Sequence, residues 1–131
     1  MKHLLVLLSI VLSCFVFNCK GQSDDKINNI SVEEMQLLLK SKDIQLVDVR
    51  TPQEFKAGFI GDAVNIDYYS PTFEEEIRKL DKKKPIILYC KSGRRSSNGS
   101  EKLEAIGFVK VYNLLGGIDQ WKQKGLKVNK K

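Results

Sequence analysis

Hydrophobic positions change period several times along this chain, and each change marks an element. A nearly unbroken apolar run from Leu4 to Leu12 is followed, after Cys19, by the polar stretch Lys20 to Asp25. Lys26 to Ile30 then reads as a short edge strand. Ser31-Val32-Glu33-Glu34 has the spacing of a capping box, and Val32, Met35, Leu38 and Leu39 recur on one face, which predicts a helix over residues 31 to 40. The run Ile44-Gln45-Leu46-Val47-Asp48-Val49 suits a buried strand. Thr51-Pro52 sets a cap residue before a proline at the first helical position, so Gln53 to Ala57 predicts a short helix stopped by Gly58.

The second half repeats the alternation. Ala63 to Ile66 reads as a strand, and Ser70-Pro71 repeats the cap-proline device ahead of the apolar stripe Phe73, Ile77 and Leu80. Asp81-Lys82-Lys83-Lys84 turns the chain into Pro85 to Tyr89, a strand apolar throughout and therefore expected at the sheet centre. A loop over residues 90 to 95 leads to a helix ending near Ile106, with Gly107 as its stop. Val109 to Leu115 predicts a further strand, and Gly116-Gly117 turns into a last helix carrying Trp121. Strands alternating with helices at this spacing predict an α/β domain with a mostly parallel sheet covered on both faces. Ligands of such sheets bind beyond the strand C-termini, where Cys90 falls.

The N-terminal apolar run follows the basic start Met1-Lys2-His3 and is too short to span a bilayer, which predicts an export signal. It has no small-x-small cleavage site. Two cysteines follow instead, a pattern that resembles a bacterial lipoprotein signal, in which cleavage leaves a lipidated N-terminal cysteine. Val11-Leu12-Ser13-Cys14 is nearer the usual lipobox, but Phe15-Val16-Phe17 would then follow the lipid, whereas Cys19 leads directly into a polar tether; Cys19 is therefore preferred over Cys14. A plain secretory peptide removed whole is the alternative. The expected organisation is a signal over residues 1–19, a tether over 20–28, one domain over 29–128 and a basic tail over 129–131. The expected location is the bacterial cell envelope or periplasm, with the protein lipid-anchored to a membrane.

Composition narrows the chemistry. The chain has 131 residues, 42% of them hydrophobic, enough for one domain with its own core. Its formal net charge is +6, with basic clusters at Arg78 to Lys84 and Lys122 to Lys131, which solvated faces and a basic tail explain without nucleic acid. The single histidine is His3, and beyond residue 19 the single cysteine is Cys90. The domain therefore has no Cys-His or Ser-His pair, no zinc site and no intramolecular disulfide, and neither metal nor organic cofactor is implied. A lone thiol exported to an oxidising compartment is a liability unless used, although an unpaired cysteine can equally be a small buried hydrophobe.

The environment of Cys90 favours use. In Tyr89-Cys90-Lys91-Ser92-Gly93-Arg94-Arg95-Ser96-Ser97 an apolar strand ends in a cysteine and meets a doubly basic, Gly-containing loop that opens a helix. Positive charge and free N–H groups at a helix N-terminus are what a reactive thiolate needs. Cys90 to Arg95 is C-x-x-x-x-R, one residue shorter than the H-C-x-x-x-x-x-R loop of protein tyrosine phosphatases and without its histidine. The smaller anion cradle disfavours phosphoryl transfer. A phosphatase or arsenate reductase is thus a lesser alternative, and thiol–disulfide exchange lacks a resolving partner.

Four segments in order resemble the rhodanese family over residues 29 to 128: Asp48-Val49-Arg50-Thr51-Pro52-Gln53-Glu54-Phe55; Gly58 to Ile66; Tyr89 to Ser96; and Gly107-Phe108 with Asn113 to Trp121 and Gly125. The resemblance implies a rhodanese-like α/β fold with a central, mostly parallel five-stranded sheet. It also implies a sulfurtransferase in which the Cys90 thiolate takes a sulfane sulfur from a donor such as thiosulfate. The resulting persulfide, held by N–H groups of residues 91 to 96, would pass the sulfur to cyanide or a thiol. By the same resemblance Arg95 closes the loop and orients the donor's oxyanion, while Lys91 and Arg94 add positive potential, Arg94 having a solvated surface residue as its other reading. Gly93 permits the turn, and Ser92 and Ser96 could donate hydrogen bonds, Ser96 alternatively capping the helix. Asp48, Arg50 and Glu54 are expected to be structural, Arg50 and Glu54 pairing to fix the turn after the strand, and Trp121, Phe108 and Tyr112 to pack. A sulfur-carrier or partner-docking module without turnover is the rival reading. Phe59-Ile60-Gly61-Asp62-Ala63 departs from the H-I-P-G-A often seen in the family, and Lys127 replaces a frequent proline.

Overall fold

The computed structural model describes residues 27–131; the expected signal, Cys14, Cys19 and the tether up to residue 26 lie outside the described residues. In chain order the elements are β1 (Ile27–Ile30), α1 (Val32–Leu38), β2 (Gln45–Asp48), α2 (Pro52–Ala57), β3 (Val64–Asn65), α3 (Phe73–Arg78), β4 (Ile86–Tyr89), α4 (Arg94–Ala105), β5 (Val111–Leu114) and α5 (Gly117–Gln123). The strands form one five-stranded sheet in the order β1-β5-β4-β2-β3. Every pairing is parallel, with Leu88 of β4 opposite Val47 of β2 and Asn113 of β5. The uniformly buried strand Ile86–Tyr89 occupies the centre, as its unbroken apolar run requires.

Because side chains alternate across a strand, the sheet divides the interior into two cores. On one face Leu46, Ile87, Tyr89 and Leu114 pack with Val32 and Met35 of α1, Phe55 of α2, and Ile118 and Trp121 of α5. On the other, Val47, Ile86, Leu88, Cys90 and Val111 pack with Phe73 and Ile77 of α3 and Leu103 of α4. Gly99 lets α4 approach the second face closely: a Cβ there would lie 3.2 Å from Leu88 Cδ2. Helices thus cover both faces, and Phe108 and Trp121 pack in the interior as expected.

Local signals work as the sequence implies at two helices. Ser31 and Glu34 complete a capping box at α1, and Thr51 and Glu54 complete another at α2 with Pro52 in the first turn. Two expectations are corrected. Helix α3 is capped by Thr72, not Ser70: the Thr72 N–H donates to Ser70 Oγ at 3.2 Å and the Phe73 N–H to Ser70 O at 3.1 Å, so Ser70-Pro71 closes a turn ahead of the helix. Helix α4 starts at Arg94, because Gly93 turns the chain at φ +112° and brings Arg94 and Arg95 into the first helical turn. At the margins β1 already includes Ile27 and Asn28, and the Asn129 N–H donates to Phe59 O at 2.8 Å.

Candidate active site

Strands β2 and β4 are neighbours, yet the helices that follow them leave to opposite faces, α2 with Phe55 to one and α4 with Leu103 to the other. A crevice opens at the strand C-termini wherever successive connections diverge in this way. Cys90, the first residue beyond β4, stands at that point and is only 1% exposed.

Two donors address its sulfur. The Gly93 N–H reaches Cys90 Sγ at 3.1 Å, and Ser96 Oγ lies 3.4 Å from Sγ and 3.2 Å from Gly93 O. Ser96 is fully buried in the first turn of α4, and Gly93, not Ser96, caps the helix. Of the N–H groups of residues 91 to 96, that of Gly93 alone bonds the sulfur, which corrects the expected convergence of the whole loop: one amide and one hydroxyl address Sγ. Both act at the N-terminus of a 12-residue helix, where the backbone dipole favours negative charge.

The loop's carbonyls are held elsewhere. The Ile118 N–H donates to Cys90 O at 2.9 Å and the Asp119 N–H to Lys91 O at 3.1 Å, so the first turn of α5 anchors the loop backbone. Gly117 makes that approach feasible. A Cβ on it would sit 2.4 Å from Lys91 O and 2.5 Å from Cys90 O.

The basic residues differ in their partners. Lys91 Nζ pairs with Asp119 at 2.8 Å. Arg95 makes a two-pronged bond to Glu54, Nη1 to Oε1 at 2.8 Å and Nη2 to Oε2 at 3.0 Å, with the Tyr69 ring 5.6 Å from its guanidinium carbon. That guanidinium, with help from the Thr51 cap, holds the Glu54 carboxyl down at about 2. Glu54 in turn raises Arg95, whose charge is thus engaged by a carboxylate. Arg94 is exposed and forms no ion pair among the described residues, and exposed Ser92 makes no side-chain hydrogen bond among them.

The expected Arg50–Glu54 pair is not formed. Arg50 turns back on Asp48, two residues earlier at the end of β2, with Nη2–Oδ2 at 2.6 Å, and donates to Gly58 O at 2.6 Å. Asp48 is fully buried and Arg50 nearly so, and Glu54 is thereby left for Arg95. Tyr89 Oη accepts the Ile60 N–H at 2.9 Å, and burial pushes its phenol up, so Tyr89 is a neutral prop for the turn after α2. A cavity of about 360 Å³ lined by Leu39, Ile44, Leu46, Gly61 and Asp62 lies at the start of β2, whereas Cys90 follows the end of β4.

Sequence reasoning missed Tyr69, Asp119 and the Glu54–Arg95 pair. Gly116-Gly117 was legible only as a turn, although a double glycine opening a helix also signals close backbone approach.

A family model of the rhodanese-like domain matches residues 31–124. A sulfurtransferase of Allochromatium vinosum is 34% identical over 103 residues, spanning 78% of this chain and 94% of that protein. The thiosulfate sulfurtransferase GlpE of Coxiella burnetii is 34% identical over 93 residues, 71% of this chain and 85% of that one. Among solved structures, a rhodanese-like domain protein from Staphylococcus aureus superimposes with a TM-score of 0.68 at 32% identity, covering 79% of this chain and 98% of its own. With the family model spanning residues 31–124 and the relatives aligning along most of their length, the chain belongs to the rhodanese-like domain family.

Proposed function

We propose that this protein is a sulfurtransferase that moves a sulfane sulfur from a donor such as thiosulfate to cyanide or a thiol through a persulfide on Cys90. The observation that carries this reading is the pair of donors on Cys90 Sγ, the Gly93 N–H and the buried Ser96 hydroxyl, at the N-terminus of α4. In the first step the thiolate attacks the outer sulfur of thiosulfate. A Cys90–S bond forms, the S–SO3 bond breaks, and its electron pair leaves with sulfite. Sulfite departs without a proton, so a site with no histidine lacks nothing the step needs. In the second step cyanide attacks the terminal sulfur, thiocyanate leaves, and the thiolate is restored. On Cys90 the negative charge stays on sulfur in thiolate and persulfide alike, where fixed N–H and O–H dipoles stabilise it without reorganising.

The test is thiocyanate formation by the purified protein from thiosulfate and cyanide, with Cys90→Ser as control. Turnover abolished by the substitution, with one sulfur atom added by mass to the wild-type protein and none to the variant, supports both the activity and its nucleophile. If wild-type protein neither turns over nor gains that mass, a docking or sensing module takes the lead.

The same proposal places the protein in the bacterial cell envelope, anchored through a lipid on Cys19, or on Cys14. The apolar run Leu4 to Leu12 and the polar stretch after Cys19 support it. Metabolic labelling with a fatty-acid analogue, compared between Cys19→Ala and Cys14→Ala, identifies the acceptor; label on neither removes the anchor.

A further inference from the structure

We propose that the anionic end of the sulfur donor is held by Arg94, and that Arg95, engaged by Glu54, is a positioning residue that braces the two sides of the crevice. This rests on the sulfurtransferase reading and concerns how its donor is recognised.

Three basic side chains follow Cys90 in the loop and the first turn of α4, and their charges are not equally available. Lys91 is matched by Asp119 at 2.8 Å. Arg95 is matched by both oxygens of Glu54, and its side chain is only 16% exposed. A planar guanidinium bonded in parallel to a carboxylate has committed two of its donors and most of its charge, and the same fork would otherwise be offered to an oxyanion. Binding a donor through Arg95 would mean breaking that pair and leaving Glu54, a carboxylate held down at about 2, facing a second anion. Arg94 has none of these constraints. It is exposed, pairs with no carboxylate among the described residues, and directly follows the glycine whose N–H addresses the sulfur. Glu54 lies on α2 and Arg95 on α4, helices that leave neighbouring strands toward opposite faces, so their pair spans the divergence at which Cys90 stands.

The test is steady-state kinetics of the full chain with thiosulfate for Arg94→Gln, Arg94→Lys and Arg95→Gln, at low and high ionic strength, alongside sulfur loading of Cys90 by mass. Arg94→Gln should raise the thiosulfate KM about tenfold with kcat little changed, because an exposed charge-assisted contact made before the chemical step is lost. Arg94→Lys should recover most of that affinity, and the salt dependence of kcat/KM should flatten in Arg94→Gln alone, a signature that a structural defect would not produce. Arg95→Gln should instead lower Tm and kcat while the thiosulfate KM stays within about twofold. Wild-type turnover with an unchanged KM and salt dependence in Arg94→Gln would overturn the assignment, as would the tenfold KM effect appearing in Arg95→Gln instead. Failure of the wild-type protein to load sulfur from thiosulfate would overturn the sulfurtransferase reading and this inference together, which separates that failure from the first two.

Discussion

Gly117→Ala tests whether the first turn of α5 holds the cysteine loop in place. Gly117 has φ +58°, where a side chain costs about 1–2 kcal/mol. A Cβ there would lie 2.4 Å from Lys91 O, against about 3.3 Å for a close carbon–oxygen contact, so α5 and the loop would have to separate by about 0.9 Å. The hydrogen bonds Ile118 N–H to Cys90 O, at 2.9 Å, and Asp119 N–H to Lys91 O, at 3.1 Å, would then open beyond useful length. Losing both costs about 2 kcal/mol more, giving about 3–4 kcal/mol in all. Gly125→Ala isolates the backbone part: Gly125 has φ +75° and nothing within 4 Å of its Cβ position, so it should lose only about 1–2 kcal/mol. Urea denaturation of both variants gives the difference. Rates of sulfur loading on Cys90 give the functional effect, about a hundredfold loss for Gly117→Ala if the sulfur and its donors are displaced by about 1 Å. Equal destabilisation of the two variants, or Gly117→Ala loading sulfur within twofold of wild type, would refute the clamp.

Two further substitutions examine the charged residues around the crevice. The Glu54 carboxyl is held at about 2 against an ordinary 4.5, chiefly by Arg95; a depressed carboxylate contributes stability above its unfolded value that is lost as pH falls through the folded one. Discounted for partial exposure, Glu54→Gln should cost roughly 1–2 kcal/mol at pH 7, a deficit that closes between pH 4.5 and about 2, and denaturation midpoints showing a constant gap down that range would contradict the pairing. Asp48→Ala should cost about 3–5 kcal/mol, since it strands a buried guanidinium, while sulfur loading per folded molecule stays within twofold; lost chemistry at unchanged stability would make Asp48 part of the reaction instead.

Much of this molecule was legible from neighbouring residues. The apolar run ending at Tyr89 must be covered on both faces, which places it in the middle of a parallel sheet and leaves Cys90 at its C-terminal end. The Ser31–Glu34 and Thr51–Glu54 boxes act across three residues, so their helix starts could be read directly, and Gly107 marks the end of α4 with φ +102°. The misplaced starts of α3 and α4 arise where two local devices compete: Ser70 closes a turn before it can cap, and Gly93 opens the helix before the arginines.

Only the tertiary structure decided which charges cancel. Glu54 meets Arg95 across 41 residues and Lys91 meets Asp119 across 28, contacts set by the strand order and by the faces to which α2, α4 and α5 return. The same packing makes Gly117 a clamp on the loop, where its sequence context reads only as a turn. Periodicity and capping record what a residue requires of its near neighbours, and those requirements determined the elements and the position of the thiol. A salt bridge between distant side chains leaves no such local trace, because either partner alone is an ordinary charged residue and its pairing exists only once the sheet has brought the two helices together.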